Sequence, residues 1–215
     1  MARTDLKVPF AEKDQAKSLG AKWDVQNKVW YVPEGISPIA FQKWLPQNNY
    51  NIQADKFYIA ISNCNCWKCA ELTSVYCFAV PANAIFREYQ DDEDELEWVS
   101  NVHDQHTFIS YLKEVTPNAE RALKAVTTKY FSDFSKTINS SYWMNHCEHC
   151  GMKQGDFELH SESDAIFFPI YSETAELITL LEINEPFAGN GDGYGNVTSN
   201  MDDIFPLMKI ISTLT

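Results

Sequence analysis

A chain of 215 residues has room for one domain of ordinary size plus a small accessory module, and none for two large catalytic domains. Its 45% hydrophobic and 13% aromatic content is enough for a packed core, which excludes a mainly disordered protein. No run reaches the ~20 consecutive apolar residues of a membrane-spanning helix, because 75–80 stops at Pro81 and 165–171 is broken by Pro169. The formal charge of −13 is uneven. Residues 1–56 carry eight Lys/Arg and six acids, net +2, while 57–215 carry nine and 24, net −15, which argues against broad electrostatic capture of nucleic acid by the larger part. The N-terminus lacks the apolar core of a secretory signal, so a cytoplasmic location with six reduced cysteines is expected, and metal binding ranks above disulfides.

Residues 1–47 read as a small basic αβ module. Leu6-Lys7-Val8 has strand character, and Pro9-Phe10 leads into a helix over 12–19, where Ala16 and Leu19 share a face and Gly20 supplies the left-handed stop. Lys22-Trp23-Asp24 and 28–32 form the arms of a hairpin with Asn27 in its turn, and Pro38 opens a final helical turn carrying Phe41, Trp44 and Leu45. The polar stretch 47–51 is a linker. Trp23, Trp30 and Tyr31, flanked by Lys13, Lys17, Lys22 and Lys28, are the candidate nucleic-acid or partner surface, since flat rings can stack on single-stranded bases. Against this, so short a module has few other ways to build a core, and at least two of Trp23, Trp30 and Trp44 are expected inside.

The pieces Val8-Pro9-Phe10, Leu19-Gly20-Ala21-Lys22-Trp23-Asp24 and Trp30-Tyr31-Val32-Pro33 resemble a small uncharacterised module found on conjugative-plasmid primases and other mobile-element proteins. The resemblance covers about a fifth of the chain and implies association with DNA-handling proteins, without a known chemistry. No primase catalytic acids or nucleotide-binding loop accompany it.

Residues 52–215 hold all six cysteines, four of them in the pairs Cys66-Trp67-Lys68-Cys69 and Cys147-Glu148-His149-Cys150. A two-residue spacing lets both sulfurs of a pair approach one ion from a tight turn, and two such pairs make the closed four-thiolate set of a structural Zn²⁺ site. Each pair follows a strand-like run, 57–61 and 141–144, and 74–80 returns as the second arm of a hairpin, which is zinc-ribbon logic at the knuckles. Cys64 can replace Cys66, and His146 or His149 can join a mixed site, although four cysteines already satisfy the ion. Cys77 reads as a core residue. A redox pair of the thioredoxin kind needs a helix start within alternating strands and helices, a pattern this sequence lacks.

Between the pairs, seven acids crowd residues 88–97 and suggest a solvated loop. Two helices follow in an insertion near 103–136, one capped by Asp104 and carrying Phe108, Ile109, Tyr111, Leu112 and Val115, the other starting at Thr116-Pro117. Segment 175–183 is ambiguous between strand and helix, 189–196 reads as a flexible glycine-rich loop that offers no nucleotide site, and 204–214 is apolar enough to dock on the core or an oligomer interface.

The expected fold class is therefore α+β, a small N-terminal αβ module followed by an acidic, zinc-ribbon-like antiparallel β domain with a helical insertion. No catalytic motif is present: His-Glu-x-x-His, a Ser/His/Asp set and a deaminase pattern are all missing. The expected function is a non-enzymatic, zinc-binding accessory or interaction protein of plasmid or mobile-element origin, with DNA or a DNA-processing protein as partner. The alternative is an acidic inhibitor or immunity-type protein that covers a basic surface of a partner protein.

Overall fold

The structure, a computed structural model, describes residues 3–212 apart from 7, 26, 35, 37, 42, 43, 45–49, 93, 94, 163 and 194–200. The chain divides into two compact units, Met1–Asn49 and Tyr50–Thr215. Helices and sheets are mixed, with sheet predominating.

In the first unit, β1 (Thr4–Leu6), β2 (Lys22–Asp24) and β3 (Val29–Val32) form an antiparallel sheet in the order β1-β3-β2. A turn of 3₁₀ helix (Phe10–Glu12) runs into α1 (Lys13–Ser18). Gly20 ends this helix at φ +102°, where the Gly20 N–H reaches the Lys17 carbonyl and the Ala21 N–H the Ala16 carbonyl, so the last carbonyls are satisfied by a left-handed cap. The hairpin turn is held by Asp24, which accepts from the backbone and side-chain N–H groups of Asn27 at 3.0 and 2.9 Å. Those two donors, with Arg3, hold the Asp24 carboxyl well below the usual range. Leu6, Ala16, Ala21, Val32, Phe41 and Trp44 make the core, and Val8 and Trp30 pack against it. Leu45, expected on the last helical turn, and most of the expected linker lie outside the described residues.

The second unit is built on a nine-stranded sheet. In chain order its strands are β4 (Ile52–Ala54), β5 (Phe57–Asn65), β6 (Leu72–Val80), β7 (Ile85–Asp92), β8 (Glu95–Val102) and β9 (Thr107–Val115). Helix α2 (Pro117–Val126) follows, then a three-stranded antiparallel sheet of β10 (Tyr130–Ser135), β11 (Ser140–His146) and β12 (Lys153–Gln154). The chain returns through the short α3 (Ser172–Ala175) to β13 (Thr179–Ile183) and β14 (Phe187–Gly193), and closes with α4 (Met201–Ile204) and β15 (Lys209–Ser212). The large sheet runs β15-β13-β5-β6-β9-β14-β4-β7-β8.

Both faces of its centre are covered, which explains why the central strands read as unbroken apolar runs. On β5 and β6, Phe57, Ile59, Tyr76, Phe78 and Val80 join one core with α2 and Trp143 of β11. The alternate residues Tyr58, Ala60, Val75, Cys77 and Ala79 join a second core with Phe167, Ile178, Phe205 and Met208 from the C-terminal segments. Cys77 is fully buried there, as a core residue.

Three expectations are corrected. Residues 107–115 form β9 rather than a helix, so of the helical insertion near 103–136 only Pro117–Val126 is helical. The apolar positions at 108, 109, 112 and 115 fit a helical stripe by coincidence; Thr107, Ile109, Tyr111 and Val115 are strand formers, and the segment lies between β6 and β14 with residues 107–110 all buried. The acidic stretch is not an open loop but the β7–β8 hairpin, its pairing running from Ile85 opposite Val102 to Asp92 opposite Glu95. The glycine-rich segment is a strand as far as Gly193, with 194–196 outside the described residues.

Candidate functional site

Both cysteine pairs sit at chain reversals. Cys66 and Cys69 lie in the turn between β5 and β6, and Cys147 and Cys150 in the turn between β11 and β12. The two turns repeat one backbone design. The Cys66 N–H bonds the Glu71 carbonyl and the Ala70 N–H the Cys66 carbonyl, each at 2.9 Å; the Cys147 N–H bonds the Met152 carbonyl and the Gly151 N–H the Cys147 carbonyl, also at 2.9 Å. In both, the residue after the second cysteine is left-handed, Ala70 at φ +62° and Gly151 at φ +68°. Alanine bears a cost at such a φ that glycine does not, so Ala70→Gly is expected to stabilise the first knuckle by about 0.5–1 kcal/mol, visible as a higher urea midpoint at unchanged m.

The four sulfurs converge, with one ligand atom from each of Cys66, Cys69, Cys147 and Cys150 lying within 4.8 Å of the others. Cys66 Sγ is 3.7 Å from Cys150 Sγ, and Cys69 Sγ is 3.7 Å from Cys147 Sγ. Tetrahedral thiolates at ~2.3 Å from one ion stand about 3.8 Å apart, so the cluster is compatible with a metal site and consistent with a zinc-binding knuckle. At Cys66 burial raises the thiol, but the N–H groups of Cys69 and Lys68 outweigh it and bring it down to about 6. Cys147 is lowered in the same way, burial being overcome by the N–H groups of Cys150 and His149. At Cys69 the Glu71 N–H favours thiolate, yet burial and the three neighbouring sulfurs push it up to about 12. A divalent cation would relieve this conflict by favouring the thiolate form of all four, its two positive charges offsetting half of their four negative ones.

Each knuckle is braced by the strand that follows the other. Gln154 of β12 is buried and donates to Cys66 Sγ at 3.3 Å, and the Trp67 indole donates to the Lys153 carbonyl at 2.7 Å. In return the Glu148 N–H reaches Thr73 Oγ1 at 3.0 Å and His149 Nε2 lies 2.9 Å from the Leu72 carbonyl. Gln154 and Thr73 carry no ligand signature in sequence; only the folded topology brings them here. His149 is occupied with that carbonyl, and His146 stacks on Phe131 at 3.9 Å with Nε2 3.2 Å from Asp133. Cys64 stands outside the cluster and packs against the second core, where burial raises its thiol to about 11.

The N-terminal candidates separate into groups. Trp23 and Trp30 are cross-strand partners with ring centroids 5.6 Å apart, and with Leu6, Val8, Pro9 and Lys28 they line a cavity of about 450 Å³. Trp23 is 46% exposed, Trp30 is half-buried and Trp44 is buried, so one tryptophan rather than two is fully inside. Tyr31 lies on the opposite face of the sheet, where the Arg3 guanidinium covers its ring at 4.1 Å. Lys22 is paired with Tyr31 across the strands, Lys17 is exposed on α1, and Lys13 Nζ lies 3.9 Å from the Phe10 ring. The seven residues thus do not form one continuous platform.

Residues 3–46 match a family described as a domain of unknown function, DUF5710. Two DNA primase TraC proteins of Escherichia coli are 57% and 55% identical to this chain over 42 residues, which is 20% of this chain and 4% and 3% of theirs. The chain therefore spans only a small fraction of those relatives, and the shared part is the N-terminal module, which links it to a conjugative-plasmid primase. No solved structure matches. No described helix is long and apolar enough to cross a membrane.

Proposed function

We propose that this chain is a cytoplasmic, non-enzymatic accessory protein of plasmid or mobile-element origin, with a zinc-stabilised acidic domain and an N-terminal module that contacts DNA or a DNA-processing protein. The convergence of four cysteine sulfurs from two reversals carries the reading. Cys66, Cys69, Cys147 and Cys150 are its proposed Zn²⁺ ligands. Four thiolates close a tetrahedral shell and leave no position for substrate, so the ion's role is to hold the β5–β6 reversal against the β11–β12 reversal, in the manner of a zinc ribbon with a long insertion. The proposed domains are 1–47 and 52–215. The identity shared with a plasmid primase over the module supports the DNA-handling context, and Trp23, Trp30 and Lys28 around the cavity are the proposed contact, with Lys13, Lys17 and Lys22 beside it.

Metal analysis of protein purified without chelator should return about one zinc per chain. Folded, zinc-free protein with intact thiols would sink the metal assignment. For the module, Lys17→Glu with Lys28→Glu should weaken salt-sensitive capture of single-stranded or duplex DNA. If the wild-type chain captures no DNA at either of two salt concentrations, the weight moves to a protein partner. The acidic β7–β8 hairpin at the sheet edge favours a basic one, as in the inhibitor or immunity reading.

A further inference from the structure

One acid of the large unit lies entirely inside it. Asp156 follows β12 and is fully buried, where a carboxylate without a cation is costly. Its Oδ2 accepts the Tyr111 N–H of β9 at 2.7 Å, its own N–H lies 3.5 Å from the Tyr142 hydroxyl of β11, and Oδ1 has no hydrogen-bond partner among the described residues. The bond to Tyr111 ties the segment after the three-stranded sheet to the nine-stranded one where β9 bulges. Ser110 stands opposite Asp192 and Glu114 opposite Asn190, so residues 111–113 are set against the single Gly191. Tyr111 is left-handed there at φ +46°, a conformation that costs a tyrosine energy and persists only where its surroundings hold it.

Among the described residues no cation answers this carboxyl. The titratable groups within electrostatic reach of it are Cys77 of β6, Tyr130 of β10, Tyr142 of β11 and Asp192 of β14. Burial pushes the first three up, so they are neutral near pH 7, and the fourth is itself an acid. From β9 comes the phenol of Tyr111, its ring 5.2 Å from that of Tyr142. The Tyr130 hydroxyl, like Asp156 Oδ1, is buried with no partner among the described residues. Along the chain, Lys153 is turned to Asp133 and the Phe134 carbonyl, and His160, which burial pushes down to about 3, is uncharged. Burial therefore raises the Asp156 carboxyl to about 7, with the Tyr111 N–H opposing the rise and Asp192 adding to it.

We propose that Asp156 is a proton-operated latch between the two sheets of the large unit: the neutral acid fastens the segment after the second cysteine reversal onto the β9 bulge, and ionisation loosens it. A protonated carboxyl can stay inside with the Tyr111 N–H on its other oxygen, whereas the ionised group regains its hydration only by moving out. The folded state thus holds the proton more tightly than the unfolded chain. The latch's stabilisation is fully present below the ordinary value of 3.8, declines as the pH rises, and is gone once the pH has passed about 7. Docking of the strand that carries Gln154, the brace of Cys66, is thereby tied to pH.

The test compares wild type with Asp156→Asn as full-length, zinc-loaded chains, unfolded in urea from about pH 5.5 to about pH 8.5 and followed by near-UV circular dichroism. The amide fills the place of the neutral acid and does not titrate. The ratio of the two unfolding constants is expected to widen by about thirtyfold over that range, most of it below about pH 7.5, the wild type becoming the less stable chain as the pH rises. Titration of the cysteines and of His160 is common to both chains and cancels in the ratio. A constant ratio, which a merely structural hydrogen bond would give, overturns the inference. Amide exchange at Tyr111, beyond its intrinsic dependence on pH, is expected to quicken by a similar factor in the wild type and to stay level in the variant. Equal protection of that amide at both ends of the range in the wild type overturns the latch. Should Asp156→Asn fail to fold, the wild type decides alone: the ¹³C shift of the Asp156 carboxyl is expected to titrate with a midpoint of about 7, and a midpoint below about 5 overturns the inference.

Discussion

Cys147→Ser is expected to unfold the Tyr50–Thr215 unit. A serine hydroxyl does not ionise near neutral pH, so the variant offers three thiolates where the geometry supplies four. Structural zinc contributes on the order of 10 kcal/mol to the folding of a domain built around it. That is comparable with the whole 5–15 kcal/mol by which ordinary domains are stable. Cys147 is fully buried, and its N–H and carbonyl are the hydrogen-bonding pivot of its turn, so no outward movement lets another group take its place. Near-UV circular dichroism should lose the signal of buried Trp143 and Tyr130, and the zinc released should match the unfolded fraction. Chelation of the wild-type protein should do the same, more slowly. Folding of Cys147→Ser with unchanged thermal stability would contradict the proposed role of the metal.

Gly193→Ala is the second large effect. A Cβ built at this position meets Phe86 Cε1 at 2.0 Å and Cζ at 2.7 Å, distances that require something to move. The Phe86 ring has little freedom to yield: it is 4% exposed and stacked on His103 at 4.1 Å. Overpacking of this kind costs about 1–3 kcal/mol, which for a unit of this size lowers the thermal midpoint by roughly 2–4 °C per kcal/mol. A double-mutant cycle with Phe86→Leu checks the cause, since the smaller side chain should recover part of the loss if the clash is with this ring. Additive effects would place the cause elsewhere.

What could be read from the sequence followed the range of the interactions involved. The cysteine pairs, the Gly20 stop and the hairpin around Asn27 are each determined within a few residues, and each lies where local chemistry puts it. The β5–β6 hairpin was also legible, because its two arms flank the first knuckle. The nature of residues 107–115 was not, since a helical stripe and a strand buried on both faces differ only in what surrounds them, and the surroundings here are β6 and β14, far away along the chain. The same holds for the glycines of β14, read as flexible when Gly193 in fact gives way to a ring from β7. In the acidic run the charge points to an open loop, whereas its backbone follows the register of a hairpin, from Ile85 opposite Val102 through Tyr89 opposite Trp98. At the N-terminus, adjacency in sequence concealed that Trp30 and Tyr31 point to opposite faces of one strand.

The order in which the strands of the large sheet are made bears on its birth at the ribosome. Asn51, beside the first strand of the acidic unit, is clamped to Asn190 and Gly191 by bonds of 2.7–3.0 Å across 139 and 140 residues. At about 5–20 residues per second, β4 waits roughly 7–28 s for β14, the later made of its two sheet neighbours, to be translated. During that interval the Cys66 and Cys69 thiols have emerged without the partners 78 and 84 residues downstream. The nascent chain thus carries a half-formed metal clip and a β4 strand with one edge open for seconds, a window in which oxidants and chaperones compete for it, while the pairing of Thr4 with Val32 in the N-terminal module spans only residues already made.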